Sequence, residues 1–212
     1  MGICYIVGAG EFSEKITPGG TDFVIAADGG FDNLKKIGIV PDLLIGDFDS
    51  ISELPQGIEI VKYPAEKDET DAFLAYKLGV ARGYREFVLL GGTGGRIDHT
   101  LANYSLMFYA RKEGNRVTVI GSGTRAYAAL NEKVTLSGNR GRGVSVFAFG
   151  GAASGVCIKG LKYEAENITL IPEFALGVSN SHTGDIDACV SVENGALLVI
   201  EEYLFDDFSK TC

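Results

Sequence analysis

Tryptophan is missing, histidine occurs only at His99 and His182, and the four cysteines are scattered with no CxxC pair. These shortages argue against a zinc site built from thiolate and imidazole ligands. They leave the cysteines as buried or free thiols of a reducing compartment. Basic residues are also scarce: 19 Lys and Arg against 28 Asp and Glu give a net charge of −9. With no basic block to meet a phosphate backbone, binding to nucleic acid is not expected. No apolar run reaches the ~18 residues that a membrane helix needs, so no membrane association is expected. The opening MGICYIVGAG has no basic residue ahead of its apolar stretch. It reads as a first buried strand rather than a signal peptide, and the expected location is cytoplasmic.

What is present divides the 212 residues into two halves. In the first, Ile3 to Val7, Phe23 to Ala27, Leu43 to Ile45, Ile58 to Val61 and Phe87 to Leu90 read as buried strands. Helical spacing appears between Asp71 and Arg82, stopped by Gly83, and from about Asp98 to Glu113, stopped by Gly114. Strands alternating with helices predict a mostly parallel sheet covered on its faces. After RVTVIG (Arg116 to Gly121) come short β-rich runs separated by Gly, Asn and Ser, among them KVTL, GVSVFAF, NITLI and ALLVIEEYL. This predicts an all-β sandwich or barrel. The expected division is residues 1–122 and 123–212.

Acids fall where the strands of the first half end. Asp28 follows Phe23–Ala27, Asp47 and Asp49 follow Leu43–Ile45, KDETD (Lys67 to Asp71) follows Ile58–Val61, and Asp98 follows Phe87–Leu90. The carboxyl edge of an open α/β sheet is where ligands bind. Singly, each Asp is a turn former or a helix cap. Repeated at four strand ends, they repel: two carboxylates about 4 Å apart cost roughly 4 kcal/mol at an effective dielectric near 20. A bound cation would relieve that, and oxygen ligands without Cys point to magnesium, which leaves positions for phosphates and water. GGTGGRIDH (Gly91 to His99) fits the same picture. Its glycines let backbone N–H groups approach an anion, and Arg96 adds a fixed cation. VIGSGTRA (Val119 to Ala126) matches GxGxxA, but no helical pattern follows it, and no GxxxxGK[ST] exists. The Asn167 sequon has no bearing on a cytoplasmic chain.

ADGG (Ala27 to Gly30), GDFDS (Gly46 to Ser50), KDETD and GGRIDHTLAN (Gly94 to Asn103), in that order, resemble the thiamine pyrophosphokinase family. GLKY (Gly160 to Tyr163) and SNS (Ser179 to Ser181) extend the resemblance through most of the chain. Tyr163 stands where relatives often carry Trp. The resemblance implies a Rossmann-like α/β domain followed by a C-terminal β-sandwich of jelly-roll type. It also implies a homodimer with shared sites, Mg2+, and ATP and thiamine as substrates yielding AMP and thiamine diphosphate. By position, Asp47, Asp49 and Asp71 would hold the metal. Asp28, Gly29, Gly30, Asp68, Thr70, Gly92, Gly94 and Gly95 would bind the nucleotide. Asp71, Asp49, Asp98 and Arg96 would serve the transfer, and Tyr163, Asn180 and Ser181 the thiamine. Two alternatives stand beside this reading: another magnesium-dependent phosphotransferase or phosphohydrolase, and a non-catalytic nucleotide-sensing module.

Overall fold

A computed structural model describes residues 2–10, 16–48, 57–64, 66, 68–121, 123–138 and 140–202. The first half runs β1 (Ile3–Val7), β2 (Phe23–Ala27), α1 (Gly30–Lys36), β3 (Leu43–Gly46), β4 (Glu59–Lys62), α2 (Asp71–Ala81), β5 (Glu86–Leu90), α3 (Ile97–Lys112) and β6 (Arg116–Gly121). The strands and the two long helices form where periodicity placed them. Gly83 and Gly114 follow the C-caps of α2 and α3 with φ of 93° and 78°, a conformation that glycine adopts without penalty. Helix α1, of seven residues, was not expected.

The second half is all strand: β7 (Thr124–Leu130), β8 (Lys133–Leu136), β9 (Gly143–Ala148), β10 (Ala153–Lys159), β11 (Ala165–Leu170), β12 (Gly177–Ser181), β13 (Ala188–Ser191) and β14 (Ala196–Glu202). The two halves share one sheet of ten strands, ordered β12-β9-β14-β7-β6-β5-β1-β2-β3-β4. From β6 to β4 the pairs are parallel. From β6 outward the pairs are antiparallel, beginning with Val119 opposite Ala126. A second sheet, β11-β10-β13-β8, is antiparallel throughout. The observed fold is therefore a mixed α/β sheet with a separate antiparallel sheet.

Alternation along the strands sends side chains to opposite faces. Cys4, Ile6 and Ile25 pack with α2 and α3 through Leu74, Tyr76, Leu106 and Met107. Tyr5, Val7, Val24 and Ala26 face the other way, onto Leu34 of α1. Burial pushes the Cys4 thiol up to about 12. A third core joins the two sheets through Ala129, Val144, Val146, Leu197 and Val199 on one side and Val156, Ile158, Val190 and Leu136 on the other. Within it lies a buried polar chain: Arg125 Nε donates to Glu201 (2.8 Å), whose other oxygen lies 3.1 Å from His182 Nε2. It ties β7 and β14 to the residue that follows β12. Among the described residues, no helix is long and apolar enough to cross a membrane.

Candidate active site

The parallel strand order reverses between β1 and β5: β2, β3 and β4 lie on one side of β1, and β5 and β6 on the other. Such a reversal opens a crevice beyond the carboxyl ends of the strands. Two glycine turns fill the position here. Gly8 N donates to Leu90 O (2.8 Å) and Gly10 N to Gly91 O (3.1 Å), so the turn after β1 is zipped to the turn after β5. A Cβ on Gly10 would stand 2.3 Å from Gly91 O, so the close approach requires glycine there.

A cavity of about 270 Å³ sits on these turns, lined by Gly8, Gly10, Asp28, Thr70, Asp71, Gly91, Gly92, Thr93, Gly94, Gly95, Arg96, His99 and Asn103, among others. Asp28 caps the end of β2 in the left-handed region (φ 48°), and its N–H donates to Ile45 O on β3 (2.7 Å). Thr70 is the N-cap of α2, its hydroxyl accepting from Phe73 N (3.2 Å), which presents Asp71 in the first turn. The N–H groups of Thr93, Gly94 and Gly95 donate to no partner among the described residues. They lead into the N-terminus of the 16-residue α3, whose cap makes no side-chain hydrogen bond. Free amides, a helix N-terminus and the Arg96 guanidinium together suit an anion rich in oxygen.

Arg96 is held by Asp98, with Nε and Nη2 at 3.1 and 2.6 Å from the two carboxylate oxygens. That pair, with His99 N donating to Asp98, keeps the Asp98 carboxyl below the usual carboxylate range. Asp98 does not line the cavity, and Asp68 is exposed. Asp47 stands one residue beyond Gly46, which lies against the backbone of Asp28. Asp49 lies outside the described residues. Gly29 and Gly30 serve packing: a Cβ on Gly30 would fall 1.8 Å from Val7 O, and one on Gly29 2.9 Å from Ala9 Cβ. Among the described residues no group of three or more His, Cys, Asp or Glu side chains stands ready for a metal. The cavity's two carboxylates, Asp28 and Asp71, are oxygen donors of the kind a hard cation takes alongside phosphates.

The sequence reading missed Gly8 and Gly10, which VGAG offered as a glycine turn after a strand. It also missed two buried asparagines. Asn33 on α1 donates through Nδ2 to Gly8 O (3.0 Å) and Gly10 O (3.1 Å), and Asn103 on α3 donates to Gly92 O (2.8 Å). For Asn33 the only sequence signal is a polar residue on an inward helical position; Asn103 also closes the GGRIDHTLAN motif, which gave it no role.

The residues expected to meet thiamine lie elsewhere in the chain, and none lines this cavity. Asn180 is buried and hydrogen-bonded through both ends of its amide. Its Oδ1 accepts from Tyr163 N and Ser181 N (2.9 Å each), and its Nδ2 donates to Tyr163 O (2.7 Å). It fastens the Gly160–Tyr163 turn to β12, leaving the Tyr163 ring 60% exposed beneath the Lys162 ammonium. A larger cavity, about 420 Å³, is lined by Ile3, Val88, Tyr127 and Lys133 and contains none of the expected site residues. The smaller one holds Asp28, Thr70, Asp71, Gly92, Gly94, Gly95 and Arg96 of the expected site residues.

Fold and site together define a mixed α/β protein with a glycine-turn cavity at its strand-order reversal and a separate antiparallel sheet. Two domain models of one family match the chain: the thiamin pyrophosphokinase catalytic domain over residues 19–119 and its vitamin B1 binding domain over residues 132–197. The chain belongs to the thiamin pyrophosphokinase family. The thiamine pyrophosphokinase of Bacillus subtilis (strain 168) is 36% identical over 102 residues, 45% of this chain and 48% of that protein, so the match spans about half of the curated relative. Among solved structures, thiamine pyrophosphokinase from Bacillus subtilis superposes with a TM-score of 0.83 at 23% identity, covering 95% of this chain and 99% of that one. A thiamin pyrophosphokinase family protein from Enterococcus faecalis gives 0.81 at 22%, covering 96% and 100%. These likenesses show a shared fold.

Proposed function

We propose that this chain is a thiamine pyrophosphokinase, transferring the terminal diphosphate of ATP to the hydroxyl of thiamine. The observation that carries the reading is the convergence of Asp28, Thr70, Asp71, Arg96 and two glycine turns on one cavity, in a chain of this family. The thiamine hydroxyl oxygen attacks the β-phosphorus. The bond from that phosphorus to the α,β-bridging oxygen breaks, and AMP leaves with the oxygen. Transfer of this kind depends on positioning and on spreading charge. Arg96 and the Thr93–Gly95 amides would balance the polyphosphate. Asp71, in the first turn of α2, would orient the hydroxyl and take its proton. Asp47, Asp49 and Asp71 would hold Mg2+, which when bound neutralises phosphate charge. Asp28 would face the nucleotide.

The second substrate would sit against Tyr163 and Ser181, with Asn180 as the fastener of that wall. Because this wall does not reach the cavity within one chain, we assign the site to a homodimer. Exposed apolar side chains support that assignment: Ile97 and Leu101 on α3, and Tyr163, Phe174, Leu176 and Ile186 in the second half. Free thiols at Cys4, Cys157 and Cys189 support the cytoplasmic location. Product analysis with ATP, Mg2+ and thiamine tests the function. Equal amounts of AMP and thiamine diphosphate are expected, with none after chelation of the metal. ADP with thiamine monophosphate would overturn it.

A further inference from the structure

We propose that Asn33 and Asn103 are positioning residues that set the polarity of the crevice. From helices on opposite faces of the sheet, they hold the carbonyl groups of both glycine turns away from the anion. The inference rests on the reading of the crevice as a polyphosphate site.

Both side chains are more than nine-tenths buried. Their amide orientation follows from chemistry: every partner of the two Nδ2 groups is a carbonyl, so the nitrogen must face it. The Asn33 amide is fully used, since its Oδ1 accepts from Lys36 Nζ (3.1 Å). The carbonyls of Gly8, Gly10 and Gly92 are thereby engaged by side chains, and that of Gly91 by Gly10 N. Glycine turns rotate easily, because nothing but backbone resists. A peptide that rotated here would aim the negative end of its dipole at phosphate oxygens. With the four carbonyls tethered, the N–H groups of Thr93 to Gly95 are left over for the anion. The clamp is two-sided: α1 packs on the Leu34 core and α3 on the Met107 core, on opposite faces of the sheet.

Asparagine is specifically suited to the task. Aspartate has the same shape but brings an acceptor against an acceptor, so Asn33→Asp and Asn103→Asp should release or repel the turns. Asn103→Ala, which favours the helix, guards against loss of folding. The probe is inorganic tripolyphosphate with Mg2+, followed by calorimetry, beside steady-state kinetics. Each variant should weaken tripolyphosphate binding by about tenfold or more, as expected for a buried carbonyl losing its donor. The KM for ATP should rise in parallel, while the KM for thiamine stays within about twofold. Folded variants that bind tripolyphosphate as the parent does, with only the melting temperature lowered, would reduce the asparagines to structural residues and overturn the proposal. A parent protein that binds no tripolyphosphate would remove the crevice reading as well, which separates the two failures.

Discussion

Asp71 is the carboxylate whose placement is most specific, because Thr70 spends its hydroxyl on capping α2 and so fixes the turn that carries the acid. Asp71→Asn keeps the side-chain shape and removes the charge. Turnover should fall about 10²–10⁴-fold, the range for loss of a positioned base, while the melting temperature stays close to that of the parent. Near-normal turnover would leave Asp71 as a first-turn helix acid and nothing more. At this scale much was legible in the sequence: Asp28, Thr70, Asp71, Arg96 and the Gly92–Gly95 turn were expected and are brought together. Asp98, expected to serve the transfer, pairs with Arg96 and does not itself line the cavity. Gly29 and Gly30, expected to bind the nucleotide, are also positions whose missing side chains make room for Ala9 and Val7. Such contacts are matters of side-chain direction and close packing, which spacing along the chain does not carry.

Close packing of α1 on β1 rests on a single missing methyl group. A Cβ at Gly30 would stand 1.8 Å from Val7 O, and backbone cannot step aside as a flexible side chain can. Gly30→Ala should therefore destabilise the chain by more than about 2 kcal/mol, as overpacking in a tight core does. Gly20→Ala is the control: nothing lies within 4 Å of its Cβ, and the change should fall within about ±0.5 kcal/mol. Denaturant titration of both variants decides it, and equal stabilities would mean that α1 shifts freely. This tight contact also explains why α1 escaped the sequence reading. Seven residues give too little periodicity to register, and the helix is held by tertiary packing of Leu34 rather than by pattern. Strand β12 escaped for a different reason. Its sequence GVSNS is polar, its register slips between Gly177 and Asn180, and Ser179 adopts φ 63°. It is an edge strand, set by pairing to β9 rather than by apolar alternation.

The chain as a whole passes, between β6 and β7, from strands alternating with helices to strands alone, and the sequence reading put its division of the chain at residues 122 and 123. It did not show that one sheet runs through it, because the pairing of Val119 with Ala126 leaves no mark on composition. The consequence is rigidity: the strands that carry the cavity and the strands of the second half belong to one sheet, joined where β6 pairs with β7, so a hinge at that point would break sheet hydrogen bonds. A rigid chain cannot fold its Tyr163 wall onto its own crevice, and that argues for a partner chain supplying the wall. An isologous dimer would do so twice, each site taking its phosphate groups from one protomer and its Tyr163–Ser181 wall from the other. Complementation tests this. Asp71→Asn damages the crevice, and Ser181→Trp obstructs the wall. Each homodimer should be nearly inactive, with Ser181→Trp first shown by its melting curve to fold. Mixed under conditions that exchange subunits, a heterodimer carries one doubly damaged site and one intact site. By this two-site symmetry, activity should return to at most about half per heterodimer. Demonstrated exchange with no returning activity would place both walls of the site in one chain. The β-sandwich would then have to move against the sheet that it shares, at the cost of the β6–β7 pairing.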